Sequence, residues 1–276
     1  MSIDSHNHLW KYNPVRDTWI TAEMKQIRTD FMPYDLLKEL EENNMDGSIA
    51  VQADQSETET GFLIGWADRS NFIKGVVGWV DLRGKYLPER LDFYARCPKL
   101  KGFRHIVQAE PDDNFLLRED FCRGIGLLKQ YNFTYDILVY PRQLPAAIQF
   151  VQKFPEQKFV IDHLAKPLIK DKVLEPWASQ MKEIAKNPNV CCKVSGLVTE
   201  ANWKTWKPED FKPYLDVVFE AFGTGRLMFG SDWPVCLLAA DYAAVKNILT
   251  DYISGLTAPD RAKIMGGNAE AFYSIQ

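Results

Sequence analysis

No stretch of the chain approaches the ~20 consecutive apolar residues that a membrane-spanning helix needs. No basic run or basic amphipathic helix offsets its net charge of −4, from 33 lysines and arginines against 37 aspartates and glutamates. A mildly acidic surface gives no general attraction to nucleic acid or to an anionic bilayer, so neither is expected as a partner. Cysteine is sparse and oddly counted: five residues, Cys97, Cys122, Cys191, Cys192 and Cys236, with no CxxC pair. That favours reduced, mostly buried cysteine in a cytoplasmic protein over a disulfide framework. No glycine-rich phosphate loop follows an early strand, which counts against a doubly wound nucleotide-binding sheet. Internal repeats and low-complexity tracts are missing as well. A strand-like segment begins at Ser2 or Ile3, so no secretory leader is expected.

What is present is the composition of a globular protein, with 46% apolar and 25% charged residues over 276 positions. Eight short apolar runs recur, over 3–9, 47–53, 73–82, 100–107, 134–139, 159–163, 190–197 and 227–232. Most are nearly continuous in hydrophobic character, as strands covered on both faces are, which points to a parallel sheet. Helix-patterned segments separate them, over 33–44, 57–71, 117–132, 141–155, 175–188 and 208–223, with two more towards the C-terminus. Residues 83–99 carry the weakest helical pattern. Eight strands alternating with helices is the count of one α/β domain, a (β/α)8 barrel of TIM type over residues 1–276. One connection is long: residues 10–32, holding Trp10, Pro14 and Trp19, read as an irregular lid.

Histidine is the scarcest informative residue, with four in the chain. All four fall on the strand-like runs or at their ends: His6 and His8 on the first, His105 on the fourth, His163 ending the sixth. Asp232 ends the eighth, in "MFGSDWPV". Barrel chemistry sits at the C-terminal ends of strands. His6 and His8 share a face, their Cβ atoms about 7 Å apart, close enough for two imidazoles to converge on one ion. The HxH pattern alone equally fits a polar edge strand. A carboxylate at Asp232, after an apolar strand end, is partly desolvated and placed to act as a base; the plainer reading is a turn or helix cap. A buried His163 can simply bond backbone. Arg104 and Lys193 interrupt apolar runs, and a barrel has no edge strand, so inward-facing roles binding an anion or hydroxyl are expected. Trp10 and Trp233 read as core residues close to the candidate site.

Taken in order, "DSHNHLW", "GFRH", "YDILVYPRQLP", "DHLAKP", "KVSGL" and "FGSDWPV" resemble the amidohydrolase superfamily, and within it the sugar-lactone hydrolases that act on L-fucono- and L-rhamnono-lactones. The resemblance runs from Asp4 to about Val235. It implies an amidohydrolase-like barrel, and a hydrolase of carbohydrate metabolism that opens a small sugar lactone to its sugar acid with water. It marks His6, His8, His163 and Asp232 as the matching positions. On this reading Asp232 is the general base, assisted by His163 and His105. If one Zn²⁺ is bound, its ligands are His6, His8 and Asp232, with or without His163. Without a metal, His105, His163 and Arg104 would stabilise the oxyanion. Arg104, Lys166, Gln52 and Trp233 would hold the sugar or close the pocket. Binuclear members carry a bridging carboxylated lysine or carboxylate and two later histidines. Here only His163 follows His105, and the fifth strand lacks a lysine, which argues against two metals. Related lactonases include enzymes with one metal and with none, so metal dependence stays open, as does a homo-oligomeric state. Two rivals are a metal-dependent decarboxylase of the same superfamily and a silent sugar-acid-binding barrel.

Overall fold

The computed structural model describes residues 1–275. Eight parallel strands follow one another around a single sheet: β1 (Ile3–Asn7), β2 (Gly47–Val51), β3 (Ile73–Gly78), β4 (Leu100–His105), β5 (Thr134–Ile137), β6 (Phe159–Ile161), β7 (Val190–Val194) and β8 (Leu227–Phe229). β2 is "GSIAV" and all five residues are buried, because barrel contents cover one face and helices the other. The flanking helices are α1 (Pro33–Glu42), α2 (Glu57–Ala67), α3 (Leu87–Tyr94), α4 (Glu119–Leu128), α5 (Leu144–Lys153), α6 (Trp177–Ile184), α7 (Leu197–Glu200), α8 (Pro208–Phe222), α9 (Tyr242–Tyr252), α10 (Ala258–Ala262) and α11 (Asn268–Tyr273). α3 occupies the segment with the weakest helical pattern. It starts with Pro in its first turn and buries Leu87, Leu91 and Tyr94, so packing completes what propensity does not. None of these helices is long and apolar enough to cross a membrane. All five cysteines are unpaired.

Two hydrophobic layers hold the barrel. The larger lies between strands and helices. The inner one joins Ile3, Ile49, Val51, Val77, Val160 and Met228 to Ala269, Phe272 and Tyr273 of α11, which plugs the barrel floor. Lys158 Nζ donates to the Phe272 carbonyl and Lys101 Nζ to that of Ser274, each at 3.3 Å. Two ammonium groups thus meet carbonyls that the helix end leaves free.

The β8–β1 seam closes at the C-terminal rim. Asp232 N–H donates to the His6 carbonyl at 2.8 Å and His8 N–H to the Trp233 carbonyl at 2.7 Å. Below them the Asp4 carboxylate accepts from Ser231 N (2.9 Å), Ser231 Oγ (2.6 Å) and Tyr242 OH (3.1 Å). Burial pushes Asp4 up to about 6 against these bonds. Gly230 permits the approach: a Cβ there would stand 2.8 Å from His6 Cβ.

The 10–32 connection is better ordered than an irregular lid. It contains a 3-10 helix (Ala22–Ile27), and Trp10 and Phe31 exchange backbone hydrogen bonds at 2.8 and 3.0 Å. Trp10, Ile20, Ile27 and Leu238 form a small core of their own. Apolar side chains spaced through a long loop have packed on one another and on the segment after β8.

Candidate active site

β1 presents His6 and His8 to the barrel mouth. His8 Nδ1 lies 2.8 Å from the Val51 carbonyl, which can only accept, so the proton of the neutral ring sits on Nδ1. Arg104 Nη1 lies 3.2 Å from His6 Nε2 and can only donate. Lys193 Nζ, likewise only a donor, lies 3.1 Å from His6 Nδ1, and Asp162 Oδ1 stands 3.2 Å from the same nitrogen, so the His6 ring is held between two cations and a carboxylate. His8 Nε2 is left with a free lone pair, 3.3 Å from His6 Nε2. Asp232 Oδ1 stands 3.3 Å from His8 Nε2 and 3.9 Å from His6 Nε2. An ion with nitrogen ligands at about 2.0–2.1 Å in tetrahedral geometry separates them by about 3.3–3.4 Å. His6, His8 and Asp232 thus form a buried donor triad whose spacing suits a divalent cation. His163 Nε2, 3.8 Å from Asp232 Oδ1, lies at its edge.

A web of buried charge supports His6 from below. Arg104 Nη1 donates to Asp162 Oδ2 at 3.0 Å, and Nη2 donates to the Gln52 carbonyl. Lys193 Nζ donates to Asp136 Oδ2 at 2.5 Å and lies 3.0 Å from Asp162 Oδ1 and 3.1 Å from His6 Nδ1. Tyr273 OH, from the floor helix, donates to Asp136 Oδ2 at 2.9 Å. Two carboxylates and two cations leave the web neutral, the condition under which buried charge is tolerated.

His163 does not end a strand. β6 stops at Ile161, and His163, Leu164, Ala165 and Lys166 all adopt left-handed backbone, with φ of 52°, 52°, 55° and 52°. Such a conformation costs about 1–2 kcal/mol per non-glycine residue and persists where surroundings impose it. Here Lys166 N–H donates to the His163 carbonyl at 2.7 Å, and Trp177 Nε1 donates to that of Leu164 at 2.7 Å. Leu164 and Ala165 are fully buried. The turn lays His163 Nδ1 2.9 Å from Ser195 Oγ. Gly196, at φ 68°, makes room, since a Cβ there would stand 2.8 Å from the His163 ring. Asp232 is left-handed too, at φ 58°.

Burial holds the His6 and His163 rings well below the usual imidazole range, against the pull of Asp162 on one and Asp232 on the other. Burial alone would raise Asp162, but Lys193, His6 and Arg104 outweigh it and hold that carboxyl well down. Burial likewise raises Asp232, yet His163, His8 and Lys166 win and leave it below the ordinary carboxylate range. Two neutral imidazoles, His6 and His163, facing an ionised carboxylate make the protonation pattern of a metal or general-base site.

The remaining expected residues are dispersed. Arg104 and Lys193 face inward, but bind the protein's own carboxylates. Gln52 is buried, with Nε2 donating to the Arg104 carbonyl at 3.1 Å. Trp233 is buried against Phe31, ring centroids 5.1 Å apart. Lys166 stands 3.3 Å from Glu200 Oε1 and 5.6 Å above the Tyr140 ring, near the mouth. His105 is not brought to the cluster. Its Nδ1 accepts from Trp79 Nε1 at 3.3 Å, its Nε2 donates to Glu110 Oε1 at 2.6 Å, and its ring stacks on Phe115. Neighbours on a strand point to opposite faces, so with Arg104 inside, His105 lies outside. Asp136, Asp162 and Ser195 escaped the sequence reading as site residues. Asp136 was detectable by the criterion applied to Lys193, a charge interrupting an apolar strand.

Comparison with known proteins agrees with this geometry. The amidohydrolase family model matches residues 3–275. An L-fucono-1,5-lactonase of Burkholderia multivorans is 40% identical over 286 aligned residues, covering 100% of this chain and 96% of that protein. An L-fucono-1,5-lactonase of Burkholderia ambifaria is 37% identical, covering 99% and 95%. The crystal structure of a Burkholderia multivorans amidohydrolase with bound Zn superposes with a TM-score of 0.97 at 39% identity, covering all of both chains. With its eight-stranded barrel and its histidine–aspartate cluster at the strand ends, this chain belongs to the amidohydrolase family.

Proposed function

We propose that this protein hydrolyses the lactone of a sugar acid, with L-fucono-1,5-lactone the leading candidate, and that His6, His8 and Asp232 hold one divalent ion, Zn²⁺ by the same comparison. The observation carrying this reading is the convergence of His6 Nε2, His8 Nε2 and an Asp232 carboxylate oxygen within 3.9 Å of one another. The lactonase relatives, alike along their whole length, support the substrate class.

Ring opening needs an activated water, a polarised carbonyl and a proton for the departing ring oxygen. A bound divalent ion would supply Lewis-acid polarisation and bring the pKa of a coordinated water to about 7. Asp232 takes the proton of the attacking water and returns it to the leaving oxygen, a general base and then a general acid. Its low proton affinity keeps it ready as acceptor at neutral pH. His163, anchored through Nδ1 to Ser195, keeps Nε2 towards Asp232 and orients that carboxylate. Lys166, held over Tyr140 beside Glu200, donates to hydroxyls of the sugar at the mouth. Arg104, 3.2 Å from His6 Nε2, positions the His6 ring. His105, turned outward, supports the wall through Trp79 and Glu110.

A panel of five- and six-membered aldonolactones, assayed with and without chelator on wild type and on Asp232→Asn, tests this reading. Lactone opening lost in the variant, with the fold intact by circular dichroism, is expected. Near-normal turnover in Asp232→Asn, or carbon dioxide released from an aromatic acid while every lactone is left untouched, overturns it.

A further inference from the structure

Two donor triads meet at His6. One is His6, His8 and Asp232; the other is His6, Asp162 and His163, also wholly buried and with ligand atoms close enough for one ion. On donor count alone the barrel could take two cations. The difference lies in what already stands against the second triad. Lys193 Nζ is 3.0 Å from Asp162 Oδ1 and 3.1 Å from His6 Nδ1. A divalent ion bound to Asp162 Oδ1 at about 2.0–2.2 Å would be pressed against that ammonium. Lys193 cannot swing away. It is completely buried, bonded to Asp136 Oδ2 at 2.5 Å, and sits 5.6 Å over the ring of Tyr273 from the floor helix. Its positive charge also neutralises the carboxylates that would otherwise attract an ion.

We propose that Lys193 is a built-in substitute for a second metal ion, its ammonium filling the His6–Asp162–His163 donor set and limiting the barrel to cations at the outer triad. Lys193 is thus a positioning residue. It ties Asp162 Oδ1 and His6 Nδ1 to one ammonium and leaves His6 Nε2 facing the outer triad.

The proposal predicts that deleting the ammonium adds one ion per chain. Wild type, Lys193→Met, Lys193→Arg and the double variant Asp136→Asn/Lys193→Met are saturated with Zn²⁺ and gel-filtered, and bound metal is counted by mass spectrometry. Co²⁺ titration followed by visible absorption gives a second count. The double variant removes a carboxylate along with the ammonium, so it leaves no uncompensated buried charge should the single one fail to fold. The Met variants are expected to bind one ion more than wild type, and Lys193→Arg the wild-type number. Two ions in the wild-type chain overturn the proposal, as do equal counts in wild type and a folded Met variant. The proposal rests on the outer triad of the functional reading only for the starting count. A wild-type count of zero rising to one would end the zinc assignment there while sustaining the role of Lys193.

Discussion

His6 Nε2 and His8 Nε2 face each other at 3.3 Å, with His8 Nδ1 committed to the Val51 carbonyl and His6 Nδ1 held between Asp162 and Lys193. A cation bridging them would use both nitrogens as ligands. His8→Gln keeps a polar side chain of similar length but removes one lone pair. Zn²⁺ affinity by calorimetry is expected to fall about 100-fold or more, with the melting temperature of the metal-free protein little changed. Unaltered affinity would refute the ligand assignment.

Asp232 is expected to act in the reaction more than in binding. For Asp232→Asn, kcat on the best aldonolactone should fall about 10²–10⁴-fold, the range of a general base, with a far smaller change in KM. A variant that raises KM and spares kcat would show that Asp232 holds substrate.

Gly196→Ala tests the contact beneath His163. The new Cβ would meet the ring at 2.8 Å on a backbone already at φ 68°. A loss of about 1–3 kcal/mol in denaturant unfolding is expected, together with a drop in turnover, because the ring must shift. Full activity in a destabilised protein would mean that the placement of His163 is not critical.

Glu59 gives the pH dependence. Burial raises its carboxyl from 4.5 to about 8, although Ala53 N–H and Asp54 N–H both donate to it. The folded state therefore keeps a proton that the unfolded chain releases. Stability from this group is complete below about pH 4.5 and is lost as pH rises through about 8. Glu59→Gln stays neutral throughout. Relative to wild type it should gain, between pH 5 and pH 8, on the order of a few kcal/mol in urea unfolding. A gap between the two proteins that does not change with pH would contradict the raised carboxyl.

Much of this was legible before any coordinates. Continuous apolar runs mark strands covered on both sides, and eight of them mark a barrel. His6, His8 and Asp232 were visible because polar residues at apolar strand ends need a reason. Three things stayed hidden, each for a physical cause. The facing of His105 depends on strand parity, which Arg104 settles only once its own direction is known. The left-handed turn at His163 is imposed by tertiary packing on residues with no intrinsic taste for it. The partners of Arg104 and Lys193 lie on other strands. Asp162 is an ordinary letter until the end of β6 places it inside the barrel.

The seam between β8 and β1 ties the two ends of the polypeptide together at the very residues that make the donor triad, Asp232 N–H to the His6 carbonyl and His8 N–H to the Trp233 carbonyl. His6 and His8 therefore gain Asp232 as a neighbour only when the last strand closes the sheet against the first. The donor triad is thus a product of barrel closure: a barrel opened at this seam would keep both imidazoles and lose their carboxylate.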